Sequence, residues 1–526
     1  MKQSPLTAPF QSPLFRVMWV TMTISNIGTW MNEIGSTWLM ASMPTSAMYI
    51  ALIQTAISLP FLFLAYPAGT LADLVSHRRM LMVIHIFMFL TAVGLTLCAY
   101  YDVITPLLLL LFTFALGIGN AIMRPAWAAS VPDFAPREHL GSSITLNTLS
   151  TNVTRAIGPA IGGILIFKAG TTAIFALNAL SFTVMIYSLY KWQPKKTISS
   201  SVLPVERFVG AFKSGLRYTK NVPSLRIVLF RSFCFFFFAS VTWALLPVII
   251  IREMHMSAQN YGISMAVIGI GTIAGAFLLP KCHRIMVRNQ IISIATLLLA
   301  LPLLLLAYSP NLWTLAITLI SLGIAWIFSF SSFILAAQLV VPNWVRARTI
   351  SLVMLTFGGS TALGSLLWGR LSDAYSTHIS ISIAAVGLLM TLFLSKRFAV
   401  ANDKLDVDTA AQWAISIPEE SIEADKGPVM VMIEYCIPTD KTEQFLALMT
   451  DMRANRQRNG AYFWQIFHDA NNQQLFSEVY LSESWLEVLR QRQRMTAPEV
   501  AVRDKVMALH EGDKPPLISI KIAGKP

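Results

Sequence analysis

Residues 105–125 read TPLLLLLFTFALGIGNAIMRP. The one ionisable side chain, Arg124, stands at the far end of an otherwise apolar or small run. About 20 such residues, coiled into a helix, reach across the hydrocarbon core of a bilayer. The same reading recurs near 17–40, 48–69, 80–101, 143–166, 171–190, 227–250, 260–280, 289–308, 312–336, 348–368 and 377–395. Gly, Pro and polar residues interrupt some runs, which is tolerable where a helix faces other helices or a water-filled cavity. Twelve spans are expected, and the fold class is an all-α polytopic membrane protein.

Composition agrees. The 526 residues are 55% apolar and only 13% charged, with a mean hydropathy of +0.59. A soluble domain carries about a quarter charged residues. Disordered, collagenous and disulfide-rich secreted chains are excluded. Residues 401–526 hold 14 basic and 19 acidic side chains, whereas residues 1–400 hold 26 basic and 8 acidic. The basic residues punctuate apolar runs and build no aromatic-interleaved basic face, so nucleic-acid binding is not expected. Cys98, Cys234, Cys282 and Cys436 lie outside metal-ligand spacing and read as packing residues. The polar segment Met1 to Phe15 is not a cleavable signal peptide.

Basic residues also set the orientation. With the N-terminus inside, the inner connections carry Arg78, Arg79, Arg137, Lys281, Arg284, Arg288, Arg346 and Arg348, besides the basic stretch from Lys191 to Arg226. The opposite connections carry Lys168, Arg252 and Arg370. Both termini are therefore expected in the cytoplasm of a multi-pass inner-membrane protein. Val131-Pro132-Asp133 and Val341-Pro342-Asn343 lie 210 residues apart, each followed by arginine. That faint repeat supports two pseudo-symmetric six-helix halves, a transporter architecture. The expected divisions are a first bundle (1–190), a cytoplasmic central loop (191–226), a second bundle (227–400) and an acidic linker (401–427).

Residues 428–526 change character. Val429–Ile437 reads as a strand and Asp440–Arg458 as a helix, with Asp440 and Glu443 at capping-box spacing and Gly460 past its end. Tyr462–Phe467 and Leu475–Leu481 read as a hairpin. Ser482 is expected to cap a helix through Arg494, and Leu517–Ile522 is the last strand. This predicts an α+β ferredoxin-like cytoplasmic domain.

The connection after the second span reads Gly69-Thr70-Leu71-Ala72-Asp73-Leu74-Val75-Ser76-His77-Arg78-Arg79. It resembles the signature loop of the major facilitator superfamily, departing from it at Leu74, Ser76 and His77. Gly158-Pro159-Ala160-Ile161-Gly162-Gly163 resembles the motif of exporters and antiporters in that superfamily. With the stretch from Val131 through Asn147, Asn152 and Arg155, the chain is most similar to the transmembrane secretion effector branch, which includes the enterobactin exporter. The resemblance implies proton-coupled efflux of a small molecule, a siderophore or a hydrophobic drug, by alternating access. It also implies a conformational gate at Gly69, Asp73, Arg78 and Arg79. Gly158, Pro159, Gly162 and Gly163 suit close, bendable helix packing.

Ionisable groups inside a membrane are costly and mark function. Of the eight acids before residue 401, only Glu33 lies well inside a span. Asn26, Trp30, Glu33 and Thr37 share one helical face, and Ser25, Thr29, Asn32 and Ser36 another. Asn147, Thr151 and Arg155 form a stripe on the fifth span. Glu33 and Arg155, with Asn32, Asn147 and Asn152, are the candidate proton-coupling or substrate residues. Arg124 reads as an interfacial anchor, and most of Phe233, Phe235, Phe236, Phe237, Phe238 and Trp243 as lipid-facing. No metal ligands, cofactor site or phosphate-binding loop is expected, and the chain is not expected to be an enzyme. The competing reading is a membrane-tethered enzyme or sensor. Its active unit would be the C-terminal domain, which resembles dimeric antibiotic-biosynthesis monooxygenases, with Trp464, His468, Glu478, Trp485 and His510 as cleft candidates. Otherwise that domain is a module that dimerises or docks a cytoplasmic partner.

Overall fold

The structure, a computed structural model, describes residues 7–72, 75–193, 208–400, 423, 426–512 and 514–524. Asp73 and nearly all of the expected linker lie outside them. The membrane part consists of α1 (Pro13–Ser42), α2 (Ala47–Ala72), α3 (His77–Tyr100), α4 (Pro106–Phe134) and α5 (Leu140–Lys191), then α6 (Phe208–Lys220) and α7 (Pro223–Pro247). A π-helical turn, Val248–Glu253, extends α7. There follow α8 (Ala258–Ile285), α9 (Arg288–Tyr308), α10 (Leu312–Leu339), α11 (Asn343–Ala374) and α12 (Thr377–Arg397).

Starts are set by local chemistry. Pro13 opens α1, and the Ser12 side chain accepts from Phe15 N–H. Thr105 and Pro106 do the same for α4. Ten helices among the described residues are long and apolar enough to cross a membrane. α1 falls outside the ten because of its polar stripes. α5 counts once, although its 52 residues would span about 78 Å, more than twice a hydrocarbon core. Gly170, at φ 77° and ψ 176°, breaks it between the two expected apolar runs. Only glycine adopts that left-handed φ freely.

The connection expected as loop over 191–226 contains α6. The aromatic run on α7 also departs from expectation. Phe235 and Phe236 are buried, and Phe236 packs edge-on to Phe357 at 4.9 Å and to Trp326 at 5.5 Å. Phe237 and Phe238 pack on Trp368, and Phe233 alone of the run is exposed. Six successive residues on a helix point in every direction, so a run of phenylalanines cannot all face lipid.

Two compact units emerge. One comprises Met1–Ile198, Ile227–Ala336 and Ser351–Asn402. The other comprises Ser199–Arg226, Ala337–Ile350 and Asp403–Pro526. The second unit thus groups α6 and the α10–α11 connection with the C-terminal domain, not with the membrane helices beside them in sequence.

That domain contains β1 (Val429–Cys436), α13 (Thr442–Asn459), β2 (Phe463–His468), β3 (Leu475–Ser482), α14 (Trp485–Arg494), α15 (Ala497–Ala508) and β4 (Leu517–Ile522). The sheet order is β2-β3-β1-β4, with antiparallel pairs throughout. Alternate residues of β1, from Val429 to Tyr435, face a core shared with Phe445, Met449 and Phe476. α13 starts at Thr442, two residues after Asp440, following a 3₁₀ turn at Thr439–Lys441. Gly460, at φ 133°, ends it. The cap of α14 is Ser484, which accepts from Glu487 N–H. Ser482 is instead buried at the end of β3 and accepts from Gln491 Nε2.

Candidate functional site

α1 presents two polar stripes, and each lines a different cavity. Trp30, Glu33 and Thr37 face an open cavity whose empty space, open solvent included, is about 510 Å³, together with Arg155 of α5, Trp243 of α7 and Tyr261 of α8. Thr29 and Asn32 face a second, of about 360 Å³ by the same measure, with Thr113 and Asn120 of α4 and Asn178 of α5. Glu33 lines both.

The charges of the larger cavity are held apart. Glu33 lies within electrostatic range of Arg124 and Arg155. Among the described residues no ion pair joins it to either. The Arg155 guanidinium stands 5.2 Å from the Trp30 ring centre, a cation–π contact. Its Nε is buried with no hydrogen-bond partner, as is Trp243 Nε1. Both atoms can only donate. The cavity therefore offers unsatisfied donors beside a carboxylate. Sequence reasoning missed Arg124 as a member of this group. It is exposed by surface area, yet its field reaches Glu33 and Arg155 and its guanidinium lies 5.7 Å from the Phe61 ring centre. It lines neither cavity, but its charge acts on Glu33, which the anchor reading does not account for.

Asn147 and Asn152 are placed elsewhere. Asn147 Oδ1 accepts from Trp127 Nε1 at 2.8 Å, tying α5 to α4. Asn152 Nδ2 donates to Thr148 O on its own helix at 3.0 Å. Neither lines the cavity, so of the expected stripe on α5 only Arg155 does.

The glycine motif forms a three-helix junction. Gly158 meets Trp30 and Gly162 meets Met31, both on α1. Gly163 meets α8, where an added Cβ would stand 2.7 Å from Ala258 O and Gly262 Cα. Only glycine permits that approach. The motif thus sets how closely α1 and α8, which carry Glu33 and Tyr261, approach α5.

At the α2–α3 end, Gly69 packs against Ser351 of α11. Arg78 donates to Leu189 O at 2.9 Å and Tyr190 O at 2.7 Å, capping the C-terminal end of α5. His77 donates to Asp133 at 2.7 Å, and Arg79 is exposed. At the α1–α2 end, Arg252 donates to Ala41 O at 3.3 Å, to Met43 O and Thr45 Oγ1 at 3.1 Å, and to Thr45 O. Asp373 accepts from Met48 N–H at 3.2 Å. This end is latched between the α1–α2 connection and the π-turn. From the sequence Arg252 was only a sparse outer charge.

In the C-terminal domain the expected cleft residues are absorbed into the core or into local turns. Glu478 is fully buried. It accepts from Arg456 Nε at 3.0 Å, Arg456 Nη2 at 3.3 Å, Trp464 Nε1 at 2.9 Å and Tyr435 OH at 3.1 Å. Burial alone would lower the Arg456 pKa, but the adjoining Glu478 charge more than offsets this and raises it. Trp485 is buried. His510 accepts from Cys436 N–H and donates to Lys514 O, and His468 donates to Gln473 O.

A family profile of transmembrane secretion effectors matches residues 4–525. The chain belongs to that family. It is therefore a multi-pass transporter of the major facilitator superfamily, not an enzyme. It is 22% identical to the staphyloferrin A transporter of Staphylococcus aureus over 72% of this chain and 94% of that one. It is 23% identical to the multidrug efflux pump Tap of Mycobacterium tuberculosis over 78% of this chain and 99% of that one. Among solved structures it resembles the nucleoside transporter NupG (TM-score 0.59, 14% identity, 73% of this chain and 98% of that one). It also resembles a bacterial homolog of the lysosomal transporter Spinster, inward-facing and occupied (TM-score 0.60, 14% identity, 75% and 98%). These structures speak for the fold of this transporter alone.

Proposed function

We propose that this transporter exports an anionic, oxygen-rich small molecule of the siderophore class across the inner membrane, driven by protons. The observation that carries the reading is the larger cavity, where Arg155 Nε and Trp243 Nε1 lack acceptors beside Glu33. Carboxylates and phenolates supply acceptors, and a guanidinium binds them well. The staphyloferrin A transporter among the relatives supports the same class. A hydrophobic aromatic substrate is the second reading. It is favoured by the cluster beside the cavity in which Trp243 meets Trp326 at 5.3 Å, and by the multidrug pump among the relatives.

The membrane part acts as twelve spans in two pseudo-symmetric six-helix halves, counting α1 and both pieces of α5, with both termini cytoplasmic. Glu33 takes a proton when the cavity opens outward and loses it when the cavity opens inward. Its charge alternately holds and releases Arg155 or the substrate. Gly69, Asp73, Arg78 and Arg79 gate the inner end, and Asp73→Asn biases the protein towards the inward-open state.

The C-terminal domain is a regulatory module. In its unit, Arg217 of α6 donates to Gly460 O and to Glu483 at 2.9 Å, and Arg348 donates to Ser214 of α6 at 2.7 Å. Trp344 lies beneath the Arg494 guanidinium at 4.1 Å and edge-on to Tyr218 at 5.5 Å. The module thereby grips two connections of the membrane helices, which suits a brake on their movement. The enzyme alternative lacks support, because the expected cleft residues are internally engaged.

The test is uptake of labelled staphyloferrin A into everted membrane vesicles energised with a proton gradient. Accumulation that a protonophore collapses supports the proposal. Accumulation of ethidium but not of the siderophore selects the second reading.

A further inference from the structure

The two stripes of α1 meet cavities with different unmet hydrogen bonds. The larger cavity holds donors without acceptors, Arg155 Nε and Trp243 Nε1, beside the Glu33 carboxylate. The smaller one holds acceptors without donors. Asn32 Oδ1 and Asn178 Oδ1 are buried without partners, and both residues line it. Three neighbouring side chains already donate within their own helices. Thr29 Oγ1 donates to Ser25 O at 3.0 Å, Thr113 Oγ1 to Leu109 O at 2.8 Å and Asn120 Nδ2 to Leu116 O at 3.2 Å. The remaining lone pairs of the two hydroxyls can only accept, and one N–H of Asn120 stays available. Two buried amide oxygens without donors are costly to leave unmet. A water-accessible volume of about 30 Å³ admits one or two waters at roughly 10–15 Å³ each, and polar lining is what retains water.

We propose that this smaller cavity is a hydrated proton route to Glu33, separate from the substrate's cavity. Water donates to Asn32 and Asn178 and ends at the Glu33 carboxylate, which both cavities share. The proton arrives as an excess proton on this water and bonds to a Glu33 oxygen. On release it returns to the same water. The charged and titratable groups facing Glu33 from the packed helices are Arg124, Arg155 and Tyr261. Arg155 and Tyr261 line the larger cavity and neither they nor Arg124 line the smaller one. A substrate bound at Arg155 therefore leaves the proton's path open, so that both ligands can act on one carboxylate from opposite faces. This inference rests on the reading of Glu33 as the proton carrier.

The experiment is a pH jump on the full chain in lipid, followed by difference infrared spectroscopy of the carboxyl band that Glu33→Gln removes. Asn178→Leu fills the smaller cavity with apolar bulk. It should slow the response of that band about tenfold, the consequence of losing roughly one water-mediated bond along the path. Thr113→Val, a smaller change, tests the same route if Asn178→Leu does not fold. Ile268→Val, altering only the larger cavity, should leave the rate unchanged. A native rate in folded Asn178→Leu or Thr113→Val overturns the route while Glu33 stands. Slowing by Ile268→Val overturns the separation of the two paths. A spectrum in which Glu33→Gln removes no band overturns Glu33 as the carrier, and the route with it.

Discussion

Two carboxylates inside this chain sit near arginine, and they are treated in opposite ways. Glu478 receives both nitrogens of the Arg456 fork, the Trp464 indole and the Tyr435 hydroxyl, with the Tyr480 ring 4.7 Å from the guanidinium. Every lone pair is spoken for, and the group has one stable state. Glu33 has arginines within range but no closed pair, and cavity on two sides. A closed pair locks a fold. An open one leaves the carboxylate free to exchange partners. Charge type is alike in the two places, so on the proposed function it is the unfilled space and unmet hydrogen bonds that separate the coupling site from a structural pair.

Breaking the closed pair should have the largest effect. Glu478→Ala strands the Arg456 guanidinium among apolar residues, which costs about 3–5 kcal/mol. Pulse proteolysis of the full chain should show the C-terminal domain cleaved at far lower denaturant concentration. Unaltered resistance would mean that the cluster is not holding the sheet to α13.

The open site should answer differently. Glu33→Gln is expected to lower gradient-driven export at least about a hundredfold, roughly 2.7 kcal/mol in barrier terms, while the thermal stability of the membrane unit stays within about 0.5 kcal/mol. The comparison is blunted if the variant is instead destabilised as strongly as Glu478→Ala. Full pH-dependent transport by Glu33→Gln would move the coupling site elsewhere.

A smaller effect is expected at the latch. Arg252→Ala removes donors from three backbone carbonyls at the α1–α2 end. Each such charge-assisted bond contributes on the order of 1.5 kcal/mol, offset by the water that replaces it. Labelling of Met43→Cys by a membrane-impermeant thiol reagent should rise several-fold in the Arg252→Ala background. Equal labelling would make Arg252 a topological charge only.

The contrast also explains what was legible in the sequence. Apolar runs gave the long helices closely, including the break that Gly170 imposes, because an apolar run is a local property. Glu33 and Arg155 stood out because ionisable residues are rare inside spans. Both stripes of α1 were visible by periodicity, but not that they serve separate cavities, since that depends on α4 and α5. Asn147 misled for the same reason: its partner Trp127 is 20 residues away on another helix. Arg124 lay near the end of its apolar run, and its reach to Glu33 is tertiary. α6 was hidden in a charged connection. The partners of Glu478, namely Tyr435, Arg456 and Trp464, come from three elements that no local spacing relates.

The finest test concerns the hydroxyl in the closed cluster. Tyr435 OH donates to Glu478 Oε2 at 3.1 Å. Burial, and then the neighbouring Glu478 charge, raise its pKa well above the usual tyrosine value. The folded domain therefore keeps this proton where the unfolded chain, near pH 10, gives it up. The stability this contributes is fully present below pH 10. It declines as pH rises from there towards the folded value, because ionisation pulls the unfolded state down. Tyr435→Phe removes one of four donors to Glu478 and should cost about 1 kcal/mol at neutral pH. It should also flatten the alkaline loss, since phenylalanine has no proton to give. Pulse proteolysis of native and Tyr435→Phe chains at neutral pH and above pH 10 reads both terms. The gap between them should narrow as pH rises. A gap of constant width would mean that Tyr435 ionises equally in both states, and that the cluster is open to water, as Glu33 is.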